Sequence, residues 1–140
     1  MGLLSDFFIA EATPVPDYQA GEEFDDLDKC QFNDLSPLQV AQFLAVLRGQ
    51  EYVVAMIREF QLVTPEDADE WTMTVPQDMV SALAALEAAD VPNTASQFAA
   101  ATSQELGWSP DEFVPIVKAL SVLSQRAIAT NKRMYLWNCV

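Results

Sequence analysis

Histidine is missing from all 140 residues of the chain. With it go the usual neutral-pH general base, the commonest metal ligand and every catalytic triad or dyad built on imidazole. Cysteine occurs twice, as Cys30 and Cys139, far apart and outside any CxxC pair. Neither a zinc site nor a thioredoxin-type motif can be assembled from these two, which read as buried free thiols in a reducing cytoplasm. Glycine occurs only four times, and there is no Gly-rich phosphate loop, GxSxG elbow or HExxH segment, so a nucleotide cradle is not expected. Basic residues are also scarce, with seven Lys and Arg against 21 Asp and Glu for a net charge of −14. A surface of that sign repels phosphate backbones and anionic lipid heads, which disfavours ordinary nucleic-acid binding and peripheral membrane docking; it favours solubility, cations and basic partners.

The opening segment MGLLSDFFIA is apolar but has no basic flank, carries Asp6 and is too short to span a bilayer, so it does not read as a secretion signal. Asp6 also stands where a myristoylation motif needs Ser or Thr, and Cys139-Val140 makes no CaaX box. The expected location is cytoplasmic.

The hydrophobic fraction of 51% is enough for a packed core, and the 20% charged fraction argues against global disorder. The length fits one domain over residues 1–140, with 1–35 an acidic N-terminal arm packed on it. The acidity is front-loaded: residues 1–35 carry nine acids and one base, whereas 111–140 carry two acids and four bases.

Residues 3–10 suit a short amphipathic helix or an extended arm, and Pro14 and Pro16 break regular structure after it, leaving a loop from Thr13 to about Asn33. Ser36-Pro37-Leu38-Gln39 is a helix start with a capping box and a proline at the first helical position, and Gly49 is a stop. Residues 51–63 are ambiguous and are read as helix to about Glu59, then strand. Trp71-Thr72-Met73-Thr74-Val75 alternates as a half-buried strand, with the acidic link Thr64 to Glu70 completing a hairpin. Pro76 opens an alanine-rich helix ending near Asp90-Val91-Pro92, and Asn93 or Thr94 caps another through about Leu106. Ser109-Pro110-Asp111-Glu112 is a second capping box, before a long helix with Phe113, Ile116, Val117, Leu120, Leu123 and Ile128 inward. The apolar tail Met134 to Val140 reads as a strand paired with the Trp71 hairpin. The expected class is α+β: a predominantly helical single domain of four or five helices on a small, mainly antiparallel sheet.

The densest chemistry is EEFDDLDKCQFND, residues 22–34. An EF-hand fails there, since counting from Asp26 puts Gln31 where glycine is needed and Pro37 where glutamate is needed. The stretch reads instead as a surface whose Glu22, Glu23, Asp25, Asp26 and Asp28 face a basic protein partner, with Phe24, Leu27 and Phe32 as apolar anchors, or as a solvated loop tacked down by the same apolar residues. Glu66, Asp67, Asp69 and Glu70 read as a wet turn between strands. Trp71, Met73, Trp108, Tyr135 and Trp137 line either a ligand pocket or, as aromatics at strand spacing more often do, the core. Arg126, Lys132 and Arg133 offset the dipole of the last helix and can pair with the acidic arm. No catalytic residue, metal ligand or cofactor is assigned. The expectation is a non-catalytic acidic binding protein for a basic partner, as an immunity or inhibitor protein would be. The alternative is a carboxylate-based enzyme or divalent-cation binder acting on a small sugar or cationic ligand.

Overall fold

In a computed structural model, which describes residues 2–140, strands form at Leu4–Ala10 (β1), Lys29–Asn33 (β2), Glu70–Thr74 (β3) and Arg133–Cys139 (β4). Helices form at Pro37–Arg48 (α1), Gln77–Ala84 (α2), Val91–Ala101 (α3) and Pro110–Ala129 (α4). The strands pair antiparallel in the order β2-β1-β4-β3. Among the described residues this is four α-helices packed on a four-stranded antiparallel sheet, the α+β single domain expected from the sequence.

The N-terminal segment is the largest departure. Residues 3–10 are neither helix nor arm: β1 is an interior strand, paired with β4 along its whole length from Leu4↔Cys139 to Ala10↔Arg133 and with β2 from Leu4↔Asn33 to Phe8↔Lys29. Both faces of β1 are covered, so Phe7, Phe8 and Ile9 are each at most 1% exposed and the strand shows no alternation to betray it. The stretch expected to be loop up to Asn33 contains β2, which begins at Lys29.

Two layers flank the sheet. On one face Phe7, Ile9, Met134 and Leu136 join the core of the helices, where Phe43 and Phe98 stack at 4.2 Å and Phe113 meets Phe43 edge-on at 5.7 Å. On the other face Phe8, Tyr135 and Trp137 are covered by residues 11–28, a strap that joins β1 to β2 and contributes Tyr18 and Phe24. Thr72, on the face of β3 opposite Trp71 and Met73, lies beside Trp137 in this second layer and is only 2% exposed.

The caps form as expected. The Ser36 amide donates to Gln39 Oε1 at 2.9 Å, the Ser109 amide donates to Glu112 Oε2 at 2.8 Å, and Gly49 closes α1 in the left-handed conformation at φ 66°. Other boundaries differ. Residues 54–59 form a 3-10 helix, after which Leu62 bridges Met73 in place of a full strand. The alanine-rich helix stops at Ala84, and Pro92 sits in the first turn of α3, where its missing amide costs nothing, so it begins a helix where it was expected to end one. α3 itself ends at Ala101, short of Leu106, and Ile128, placed inward by periodicity, is half exposed near the end of α4.

Candidate interaction surface

The strap holds its shape through two kinds of contact. The first is an aromatic stack: Phe8 lies between Tyr18 at 4.3 Å and Tyr135 at 5.2 Å, with Phe24 edge-on at 5.1 Å and Trp137 tilted against Tyr18. Beneath this stack is Asp6, 3% exposed, whose Oδ2 accepts from Tyr18 Oη at 2.8 Å and Gln31 Nε2 at 2.9 Å. Burial pushes the Asp6 carboxyl above the ordinary carboxylate range, against the opposing pull of the Tyr18 and Gln31 hydrogen bonds and the Lys29 charge. Burial, with the Asp6 bond and charge, also holds the Tyr18 phenol far above its usual value.

The second contact is ionic. Asp28 accepts from Arg126 Nε at 2.7 Å and lies 3.5 Å from Lys132 Nζ, so the basic end of α4 and the turn after it fasten the strap as the charge pattern of the sequence allowed. Lys29 Nζ donates to the Gly21 carbonyl at 2.7 Å and closes the other side of the turn.

These anchors sort the acidic stretch. Glu22, Glu23, Asp25 and Asp26 stay exposed on the outside of the strap. Asp25 caps the short 3-10 turn at 26–28 by accepting from the Leu27 amide at 2.9 Å, and Asp26 has only a loose pair with Lys29 at 3.9 Å. The two phenylalanines turn away from solvent on opposite sides of the sheet: Phe24 packs into the strap's stack, and Phe32 meets Phe7 edge-on at 6.2 Å beside the helical core. Both are half-buried: Phe24 holds the strap to the sheet, and Phe32 holds β2 to the helical core.

Of the three apolar residues expected as anchors, one does face outward. Leu27, between two aspartates, is 62% exposed, and across from it on α4 Val122 is 64% exposed. Between them runs a groove of about 450 Å³ lined by Leu27, Pro115, Ala119, Val122, Lys29 and Lys118. Val122 carries its own signal, an apolar residue outside the inward stripe of Phe113, Ile116, Val117, Leu120 and Leu123. A second cleft of about 440 Å³ opens between the strap and the end of β1, with Glu11, Glu23, Asp25 and Asp28 among its walls and Lys132 at its edge.

Little in this region suits covalent or metal chemistry. Burial, and the Asp6 charge after it, push the Cys30 thiol up to about 12, which keeps it protonated and unreactive at neutral pH. The described residues gather no group of three or more Cys, Asp or Glu side chains that could hold a metal ion. Elsewhere, Arg48 bridges Glu59 through two bonds of 2.6 Å and Asp78 through two of 2.7 and 3.1 Å, and these bonds hold both carboxyls below their ordinary range. That network ties α1 to the 54–59 turn and to α2.

The five aromatic and sulfur side chains considered as a pocket are dispersed. Tyr135 and Trp137 lie under the strap, Trp108 packs on Phe113 in the helical layer at 5.4 Å, and Trp71 and Met73 share the outer strand β3. Among the described residues no helix is long and apolar enough to cross a membrane. Compared with known proteins, the chain matches no family model, no curated sequence and no solved structure.

Proposed function

We propose that this is a non-catalytic binding protein that engages a basic protein partner through the outer face of the strap, in the manner of an immunity or inhibitor protein. The observation that carries this reading is the separation of duties within one short segment. Asp28, Phe24 and Lys29 fix the strap to the body, while Glu22, Glu23, Asp25 and Asp26 stay exposed around the outward-facing Leu27. Carboxylates that served stability would be paired; Glu22 and Glu23 are left to water, Asp25 caps only its own turn, and Asp26 has no more than a loose pair with Lys29. An apolar centre with a charged rim is the usual anatomy of a protein interface, and a dense field of one sign steers a partner of the other sign at rates above the ordinary docking limit.

The test uses a variant carrying Glu22→Gln, Glu23→Gln, Asp25→Asn and Asp26→Asn, which keeps the Asp25 capping oxygen. Wild type and variant serve as matched baits, and any basic protein recovered by the first is purified and its association rate measured against ionic strength. The expected result is association slowed by about ten- to a hundredfold in the variant at low salt, with most of the salt dependence gone. Leu27→Ala is expected to act mainly on dissociation. An association rate untouched by the four substitutions overturns the reading.

A further inference from the structure

On the helical side of the sheet, remote from the strap, β3 and the start of α1 enclose a groove of about 430 Å³ lined by Leu3, Pro37, Leu62, Trp71, Met73 and Asn138. Its volume lies in the range of small-molecule sites, which are concave, mainly apolar and provided with a few fixed polar groups. Asn138 supplies such a group. Its side chain is 2% exposed, and Nδ2 donates to the carbonyls of Leu35 at 3.1 Å and Leu4 at 3.2 Å, with Ser5 Oγ at 3.4 Å. Two of those partners are carbonyl oxygens that can only accept, so the amide cannot be turned round. Oδ1 therefore points away from β1, on the side of its register neighbour Trp71, where it is buried behind the groove wall and has no hydrogen-bond partner.

We propose that this groove binds a small, uncharged, planar heteroaromatic molecule that donates an N–H to Asn138 Oδ1. Each part of that description rests on the walls. The indole of Trp71, the ring of Pro37 and the thioether of Met73 offer flat, polarisable surface to an aromatic ring. None of the lining side chains is charged, so an ionic ligand would lose hydration without compensation. The buried amide oxygen lacks a donor, and an N–H supplies one. Leu62 is 40% exposed at the groove and gives way for the N–H to reach the oxygen, while Trp71, partly buried on the outer strand, stays as the stacking wall. The proposal stands independently of the acidic face.

The probe is indole, with 1-methylindole as the same ring without its N–H, titrated into the full chain and followed by two-dimensional amide and indole N–H resonances. Indole is expected to give saturable shifts centred on Leu62, Trp71 and Asn138. Leaving a buried acceptor unpaired should weaken 1-methylindole by roughly five- to a hundredfold. Leu62→Asp, which places a charge in the groove mouth without touching the core, is expected to lower indole affinity by at least about tenfold while the melting temperature stays within a few degrees. Equal affinity for the two probes overturns the proposal, because the oxygen then takes no part. It also fails if indole does not saturate, if its shifts map elsewhere, or if Leu62→Asp folds normally and binds as wild type.

Discussion

Asp6 is a carboxyl placed under aromatic rings, where ionisation works against the fold. Its proton affinity is raised in the folded chain, so the folded state binds more protons than the unfolded state between the ordinary Asp value and the raised one, and this contribution to stability falls as pH rises through that window. Asp6→Asn keeps an acceptor for Tyr18 and Gln31 but cannot ionise. Relative to wild type, its melting temperature is expected to be most favourable near pH 8 and to lose that advantage on acidification towards pH 4, as the wild-type carboxyl takes up its proton; paired thermal melts across the range check this. An advantage that grows with acidification would reverse the sign and count against a destabilising buried charge. Asp28 has the opposite character. Fastened by Arg126 and Lys132, it is expected to cost about 1 kcal/mol when changed to asparagine, while Asp26→Asn, on an exposed side chain, should leave the melt unchanged or slightly higher. On the opposite face, burial against the helical core keeps Cys30 protonated, so its native reaction with a thiol reagent should be slow and become fast only on unfolding.

At the scale of elements, the strap and β4 matter most. Gly21 sits at φ +76° with the Tyr18 hydroxyl 2.6 Å from where a Cβ would be, so any side chain there strains the backbone and displaces the phenol from Asp6. Gly21→Ala is expected to loosen the strap, read as faster amide exchange over residues 17–28 with the helical core unchanged; unchanged exchange would show that the phenol yields without cost. β4 lies between β1 and β3 and sends Leu136 into the helical core and Trp137 under the strap. Removing residues 135–140 takes away the partner of both neighbouring strands, and the truncated chain is expected to unfold or aggregate, since truncation of large buried side chains costs about 3 to 5 kcal/mol each. A soluble truncation with an unaltered melting temperature would contradict the sheet order.

Across the whole molecule, charge and architecture are coupled through Asp28. The acid-rich N-terminal segment is not a free arm: β1 lies inside the sheet, and the basic end of α4 docks on the strap. A net charge of −14 opposes compaction through self-repulsion, which salt screens, so moderate salt is expected to raise the melting temperature of the isolated protein even as it slows capture of a basic partner. A melting temperature that drops with added salt would mean that the bridges from Arg126 and Arg48 outweigh the repulsion.

The sequence by itself determined the class, the capped helices α1 and α4 and the tail strand, because caps, proline positions and periodicity act within a few residues. It also excluded imidazole chemistry outright. Only the tertiary structure decided what depends on contacts between distant segments. β1 was illegible because a strand covered on both faces has no alternation, and Pro92 was misread because a proline reads alike at the end of one helix and in the first turn of the next. The acidic stretch shows the same division most sharply. Its charges were plain in the sequence, but which of them are spent on the fold was set by Arg126 and Lys132, about a hundred residues away, and which apolar residue faces outward was set by the pull of Phe8 on Phe24 and of Phe7 on Phe32. Local physics writes the elements into the chain, whereas the assignment of a side chain to core or surface waits on what packs against it.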